Sequence, residues 1–169
     1  PFKRCQVFRV RLAPDVVDFL VLWTKNPAPI LPHLPTISEL GYPVVVQFAI
    51  TGCDHVLEPG LPALDERIAT FRALAEMIGP QRVLWRFDPI VLTRSQGPED
   101  WLHRFAALAE LLHGYTAQCS ISFVSLYAKC RRNLAQIDLQ MNDEAMKISL
   151  AQRLAALAHC HGIRLVACC

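Results

Sequence analysis

The chain has 169 residues, of which 53% are hydrophobic and 19% charged, and this is the size and composition of one domain with a well-buried core. Its formal net charge is only +2, and no basic run stands out, so nucleic-acid binding has no electrostatic support. No apolar stretch in the sequence reaches the ~20 residues that a membrane-spanning helix needs.

The chain ends and the cysteines add two expectations. The sequence begins at Pro1 and stops at Cys169 directly after an apolar run. We therefore interpret residues 1–169 as a single (β/α) barrel-like domain, truncated at both ends, of a longer protein. The seven cysteines are odd in number and irregular in spacing, which argues against a disulfide framework and favours a reducing, cytoplasmic location.

Six apolar runs are predicted to form strands. They lack the polar alternation of a sheet with one solvated face, and this pattern is typical of parallel strands covered by helices. In chain order these runs are residues 7–12, 19–23, 44–51, 83–88, 119–126 and 164–168.

Helical periodicity separates most of these runs. Apolar residues three and four apart predict helices over residues 64–78, 101–112 and 146–157, and a shorter helix covers residues 36–40. Alternating strands and helices indicate an α/β fold, a partial parallel (β/α) TIM-barrel-like domain, with a doubly wound open sheet as the alternative. The link over residues 13–18 is too short for a crossover, so the first strand is expected to be irregular or antiparallel.

Loop lengths predict where the functional site lies. The links from helix to strand are short, whereas the links from strand to helix, such as residues 24–35 and 52–62, are long. All the long loops therefore gather beyond the carboxyl ends of the strands. Barrels and open α/β sheets place their sites at that edge.

Two charged residues interrupt the fourth apolar run. Arg86 and Asp88 are two positions apart, so they share one face of the strand, and charges in a covered strand are costly unless they are paired. One interpretation is a structural ion pair that closes the top of the barrel. The other is ligand binding by Arg86, with Asp88 as a catalytic base or as the group that orients Arg86.

Further polar residues follow other strands. Lys25 and Asn26 come directly after the second run and suit an anionic ligand, with Lys25 as a second candidate catalytic residue. Gln47 and Thr51 share a strand face and are candidate ligand-binding residues, although a buried glutamine with structural partners is an equal alternative.

The fifth run and the loop after it add Ser122 and Lys129 as candidate ligand-binding residues. The sequence has no Cys-x-x-Cys pair, phosphate-binding glycine motif or nucleophile elbow. His55 lies near Cys53, but that grouping is weak, so we predict no metal site within these residues.

Several segments carry a family resemblance, in order and over nearly the whole chain. The sequence resembles domain-of-unknown-function family eighteen-forty-eight, which is bacterial and uncharacterised. The segments that carry the resemblance are residues 23–29, 47–52, 57–59, 85–90 and 119–124.

The resemblance implies a specific but partial function. Full-length members carry a carboxyl-terminal cysteine cluster similar to that of radical S-adenosylmethionine enzymes, which use a partial parallel (β/α) barrel. This implies a 4Fe–4S cluster and S-adenosylmethionine in the full-length protein, with the cluster cysteines expected beyond Cys169. The sequence departs from the family at Ser125, where an aspartate is expected. The alternatives are an iron-free barrel enzyme that acts on an anionic small molecule through Lys25, Arg86 and Asp88, and a non-catalytic binding domain.

Overall fold

A computed structural model describes residues 7, 9–53, 57–125, 138–139 and 144–168. Five strands alternate with helices along the chain. The strands are β1 (Leu20–Thr24), β2 (Val44–Ala49), β3 (Val83–Ile90), β4 (Gln118–Phe123) and β5 (Arg164–Ala167), and the helices are α1 (Leu34–Glu39), α2 (Leu64–Ile78), α3 (Pro98–Leu112) and α4 (Glu144–Cys160). Short 3-10 helices cover Pro14–Val16 and Ala28–His33.

The five strands form one sheet in the order β1-β2-β3-β4-β5, and every neighbouring pair is parallel. A doubly wound sheet reverses its strand order at a switch point, and the described strands show no such reversal. Successive parallel neighbours joined by right-handed crossovers form the wall of a (β/α) barrel. The fold predicted from the sequence is therefore confirmed as α/β with barrel-like strand order.

The core lies between the sheet and its helices. Trp85 and Phe87 of β3 are fully buried, and Trp85 stacks on Phe105 of α3 with ring centroids 4.8 Å apart. Trp101 of α3 meets Phe87 edge to face at 5.4 Å. The indole N–H groups of Trp85 and Trp101 donate to the carbonyl oxygens of Ile50 and Val91, so both large rings are buried without an unpaired donor.

Alternation along the strands sends the intervening residues to the opposite face of the sheet. Because Trp85 and Phe87 face the helices, Arg86 faces the inner side of the barrel wall, and its register partner Ser120 in β4 has the same orientation. Between Phe87 and Ile90 the β3–β4 register shifts by one residue, as in a β-bulge. This irregularity lies at the carboxyl end of the sheet, where β3 carries Asp88.

The prediction of a strand over residues 7–12 is wrong. The described residues of the range 7–12 form no strand, and Val10 and Leu12 are exposed rather than packed on the sheet. The same run contains Arg9 and Arg11, and Arg11 forms an exposed ion pair with Asp15. The segment therefore has no continuous apolar face that could pack on the sheet. The expected irregularity of this segment is the part of the prediction that the structure supports.

The other predicted elements agree with the structure to within a few residues. The link between β4 and α4, which contains Lys129 and most of the predicted long loop, lies outside the described residues apart from residues 124–125 and 138–139. None of the described helices is long and apolar enough to cross a membrane.

Candidate functional site

Arg86 and Asp88 form a bidentate ion pair on the inner face of the wall. The Nε of Arg86 donates to Oδ1 of Asp88 at 2.9 Å, and Nη2 donates to Oδ2. The side chains are 17% and 9% exposed, so water reaches the pair only at its edge. The hydrogen bonds to Asp88, together with its charge, raise the pKa of Arg86 above its usual value. Arg86 therefore stays charged, and its planar fork is fixed.

Residues on the neighbouring strands also contact the Arg86–Asp88 pair. Its Nη1 donates to Oε1 of Gln47 in β2 at 3.0 Å, and its guanidinium carbon lies 4.8 Å from the ring centroid of Trp23 in β1. Ser122 of β4 donates to Oδ2 of Asp88 at 3.4 Å. A guanidinium carries five N–H donors, and these contacts use three of them. Within the part of the chain that the structure describes, two donors of Arg86 therefore remain for a ligand.

Arg86, Asp88, Gln47 and Trp23 line an open cleft of about 390 Å³ at the carboxyl ends of β1, β2 and β3, whereas Ser122 is not among its lining residues. The cleft brings together four residues that the sequence singled out, and Trp23 and Pro89 add apolar surface to its wall. Their convergence follows from strand-face parity, because parallel strands end at one edge of the sheet. The predicted residues that line the cleft are Lys25, Gln47, Arg86 and Asp88.

A second ionic cluster holds Lys25. The Nζ of Lys25 donates to Oε1 of Glu58 at 2.6 Å, and Nη1 of Arg67 donates to Oε2 of the same carboxylate at 3.2 Å. Arg67 also donates from Nη2 to the carbonyl oxygen of Ala49 at 2.7 Å, at the end of β2. Lys25 is 41% exposed, whereas Glu58 and Arg67 are almost fully buried. Glu58 and Arg67 thus anchor Lys25 at the cleft.

Sequence reasoning missed Glu58 and Arg67 as parts of the site. Glu58 belongs to a family segment and to the weak grouping around His55, and no role was predicted for Arg67. A signal was present, because Arg67 lies four residues before Phe71 and seven before Leu74, and these spacings place it in the buried stripe of α2. A charged residue within such a stripe requires a buried partner.

Two predicted ligand-binding residues, Asn26 and Thr51, are not among the residues that line this cleft. The Oδ1 of Asn26 accepts the N–H of Ala28 at 3.2 Å and so shapes the turn that begins the first loop. Thr51 is buried and accepts the N–H of Cys53 at 3.2 Å, because the chain leaves the strand face after Ala49. The expected convergence of Thr51 on the cleft is therefore wrong. Lys129 lies outside the described residues.

A larger cleft lies at the opposite edge of the sheet. It encloses about 820 Å³ between α1 and α2, beside the start of β2. Its walls include Leu34, Met77 and the solvent-exposed Arg82, with no carboxylate among its lining residues. The smaller cleft is the better candidate site, because paired and partly buried charges converge there.

The described residues contain no group of three or more His, Cys, Asp or Glu side chains placed to hold a metal ion. Cys53, Cys119, Cys160 and Cys168 are free thiols. Burial raises the pKa of the Cys53 thiol, which lies beside Thr51 and 3.5 Å from Nη1 of Arg104. This part of the chain therefore does not provide the ligand set of an iron–sulfur cluster.

The fold is similar to a solved structure described as spore photoproduct lyase complexed with dinucleoside spore photoproduct, with a TM-score of 0.63 and 14% sequence identity. The similarity covers 89% of this chain and 51% of that one, so this chain spans about half the length of that lyase. Identity this low shows a shared fold alone. No curated protein matches the sequence. A family model described as Domain of unknown function (DUF1848) matches residues 1–169, so the chain belongs to this family, the one identified from its motifs.

Proposed function

We propose that this domain is the barrel portion of a radical S-adenosylmethionine-like enzyme and that the Arg86 cleft binds the anionic group of a small molecule. The fold likeness to spore photoproduct lyase, a radical S-adenosylmethionine enzyme, supports the first part. The observation that carries the second part is the bidentate Arg86–Asp88 pair, which leaves two donors of Arg86 free at the carboxyl edge of the sheet.

The charge balance of the site favours a monoanion. Among the described residues of the two ionic clusters, three cations, Lys25, Arg67 and Arg86, are paired with two carboxylates, Glu58 and Asp88, which leaves one net positive charge. Charge in a partly buried site is costly when it lacks a counter-ion. A ligand with one carboxylate or one phosphodiester group supplies the missing negative charge.

Distinct roles follow for the three cleft residues. Both oxygens of Asp88 are engaged by Arg86, so Asp88 orients the guanidinium fork and is poorly placed to take a proton. Arg86 donates hydrogen bonds to the anion through its two remaining N–H groups. Lys25 keeps two of its three ammonium protons beyond the bond to Glu58, so it binds the same anion or donates a proton to the ligand.

The cofactors remain part of the proposal for the full-length protein. Because the described residues do not supply the ligands of a 4Fe–4S cluster, the role of this domain is to bind and orient the small molecule. A bound cluster with S-adenosylmethionine would supply the radical chemistry.

Two measurements on full-length protein, purified without oxygen, test the proposal. Iron and acid-labile sulfide in the purified protein support the radical-enzyme part. A colourless, iron-free protein that turns over a carboxylated or phosphorylated compound would instead favour the iron-free barrel enzyme.

The anion cleft has its own test, in which acetate is titrated and followed by the NMR signal of the Trp23 indole N–H, because this ring lies 4.8 Å from Arg86 and is retained in the variants. Arg86→Met should abolish acetate binding at the cleft, whereas Arg82→Met, a matched change of an exposed arginine beside the opposite cleft, should leave it intact. If Arg86→Met instead lowers the melting temperature by more than about 8 °C while acetate affinity is unchanged, the pair is purely structural.

A further inference from the structure

Trp23 is an exposed aromatic residue at the mouth of the candidate site. Its exposed fraction is 70%, whereas the other two of the three tryptophans, Trp85 and Trp101, are completely buried. Trp23 lies on the inner face of β1, one residue before the strand ends. A large apolar ring left in water at a cleft is a feature of binding surfaces, because burying it provides much of the free energy of association.

The setting of Trp23 fixes the ring and leaves it accessible. The Arg86 guanidinium lies 4.8 Å from the centroid of the indole ring, so a cation that is itself held by Asp88 and Gln47 supports the ring. Arginine stacked in this way restricts the rotation of the ring and so lowers the entropy lost when a ligand binds. The ring is therefore arranged in advance for stacking.

Trp23 also borders two clefts of different character. The first, described above, contains the charged groups of Arg86 and Lys25. The second also encloses about 390 Å³. Its walls include Val21 of β1 and, in the loop after β1, Pro27 and Ile30. Trp23 thus lies where a site for a negative charge meets an apolar surface.

We propose that Trp23 is a stacking platform for a planar ring, so that the ligand of this site is a small aromatic or heteroaromatic acid. The acid group lies on the free donors of Arg86 and Lys25, and the ring lies against the indole. This inference rests on the anion cleft of the proposed function and adds the chemical class of the rest of the ligand. Stacking tolerates many ring types because every planar ring has a π face.

Three probes separate the two parts of this ligand in the full-length protein. Benzoate has a planar ring and a carboxylate, cyclohexanecarboxylate has the carboxylate without the planar ring, and benzyl alcohol has the ring without the charge. We expect benzoate to bind more tightly than either of the others. The indole N–H signal of Trp23 should shift during the benzoate titration, while those of Trp85 and Trp101, which are bonded to carbonyl oxygens, should not.

Matched variants test whether the tighter binding of benzoate depends on the indole ring of Trp23. Trp23→Ala should weaken benzoate binding by about five-fold to a hundred-fold, the loss that removal of a stacking partner causes. Its effect on cyclohexanecarboxylate should be smaller, and Trp23→Phe should restore most of the benzoate affinity. Phe19→Ala, a change of another exposed aromatic residue just before β1, is the control and should leave both affinities unchanged.

Each other outcome overturns the inference in a recognisable way. Equal affinity for the two acids refutes the platform and leaves the anion cleft standing. Failure of both acids to bind refutes the anion cleft and, with it, the platform. If Trp23 fluorescence in the full-length protein is inaccessible to acrylamide without any probe, another part of the polypeptide covers the ring and the platform is refuted.

Discussion

Replacing Glu58 by glutamine removes the negative charge that lies between Lys25 and Arg67 while keeping the shape of the side chain. Arg67 is only 4% exposed, and its Nε already has no hydrogen-bond partner. Without Glu58 the buried guanidinium loses its counter-ion, and the new amide group directs its N–H donors at one of the two cations. Breaking a buried ion pair in this way costs roughly 3–5 kcal/mol.

The matched comparison is Lys25→Met. Lys25 is 41% exposed, and its loss leaves Glu58 paired with Arg67, so the cost should be about 0–1 kcal/mol. At this chain length 1 kcal/mol corresponds to roughly 2–4 °C in melting temperature. We therefore expect a decrease of about 6–20 °C for Glu58→Gln and of less than about 4 °C for Lys25→Met.

Circular dichroism of full-length protein during heating, with urea unfolding beside it, measures the difference. Equal destabilisation by the two variants would refute the reasoning, because it would mean that the exposed end of the cluster contributes as much as its buried end. An unchanged melting temperature for Glu58→Gln would show that Arg67 finds another partner or that water enters the cluster.

Two further predictions concern titratable groups away from the cleft. Burial raises the pKa of Cys53 and raises that of Cys119 well above its usual value. Iodoacetamide should therefore label the exposed Cys160 first, Cys53 later and Cys119 last. Peptide mass spectrometry measures this order, and early labelling of Cys119 would contradict the prediction. The hydrogen bond from Arg153 lowers the pKa of Glu99 in the folded state, so the pair stabilises the fold above the unfolded pKa and loses this effect as the pH falls through the folded pKa. Glu99→Gln should therefore lower the melting temperature slightly at neutral pH and not in strong acid, and an equal effect at both pH values would contradict this.

Local sequence patterns were sufficient to predict the sheet, its helices and part of the site. Uniformly apolar runs and three-four periodicity identify elements that are buried by their immediate neighbours, as in β3 and α3. Strand-face parity places Arg86 and Asp88 together, and parallel topology brings Gln47 and Lys25 to the same edge. These conclusions need only the period of each element and the direction of its strand.

The failures arise where an outcome depends on distant partners. Val7, Val10 and Leu12 are exposed because none of the described elements packs against them, and the sequence of the segment itself does not show this. Thr51 does not line the cleft, because β2 ends at Ala49, two residues before it, and the Thr51 hydroxyl group accepts the N–H of Cys53 instead. The pairing of Glu58 with Arg67 joins a loop to a helix, and composition alone does not specify that contact.

The two ionic clusters differ in rigidity, and this difference assigns them different parts in recognition. Arg86 is fixed by Asp88 on its own strand and by Gln47 on the next, so its guanidinium keeps one orientation with or without a ligand. Lys25 follows the end of β1, has a long flexible stem and is held by a single bond to Glu58. In the proposed site, Arg86 would therefore fix where the negative charge of the ligand lies, and Lys25 would adjust to the rest of the anionic group. Variation at Lys25 should change which anions are preferred, whereas variation at Arg86 should remove anion binding altogether.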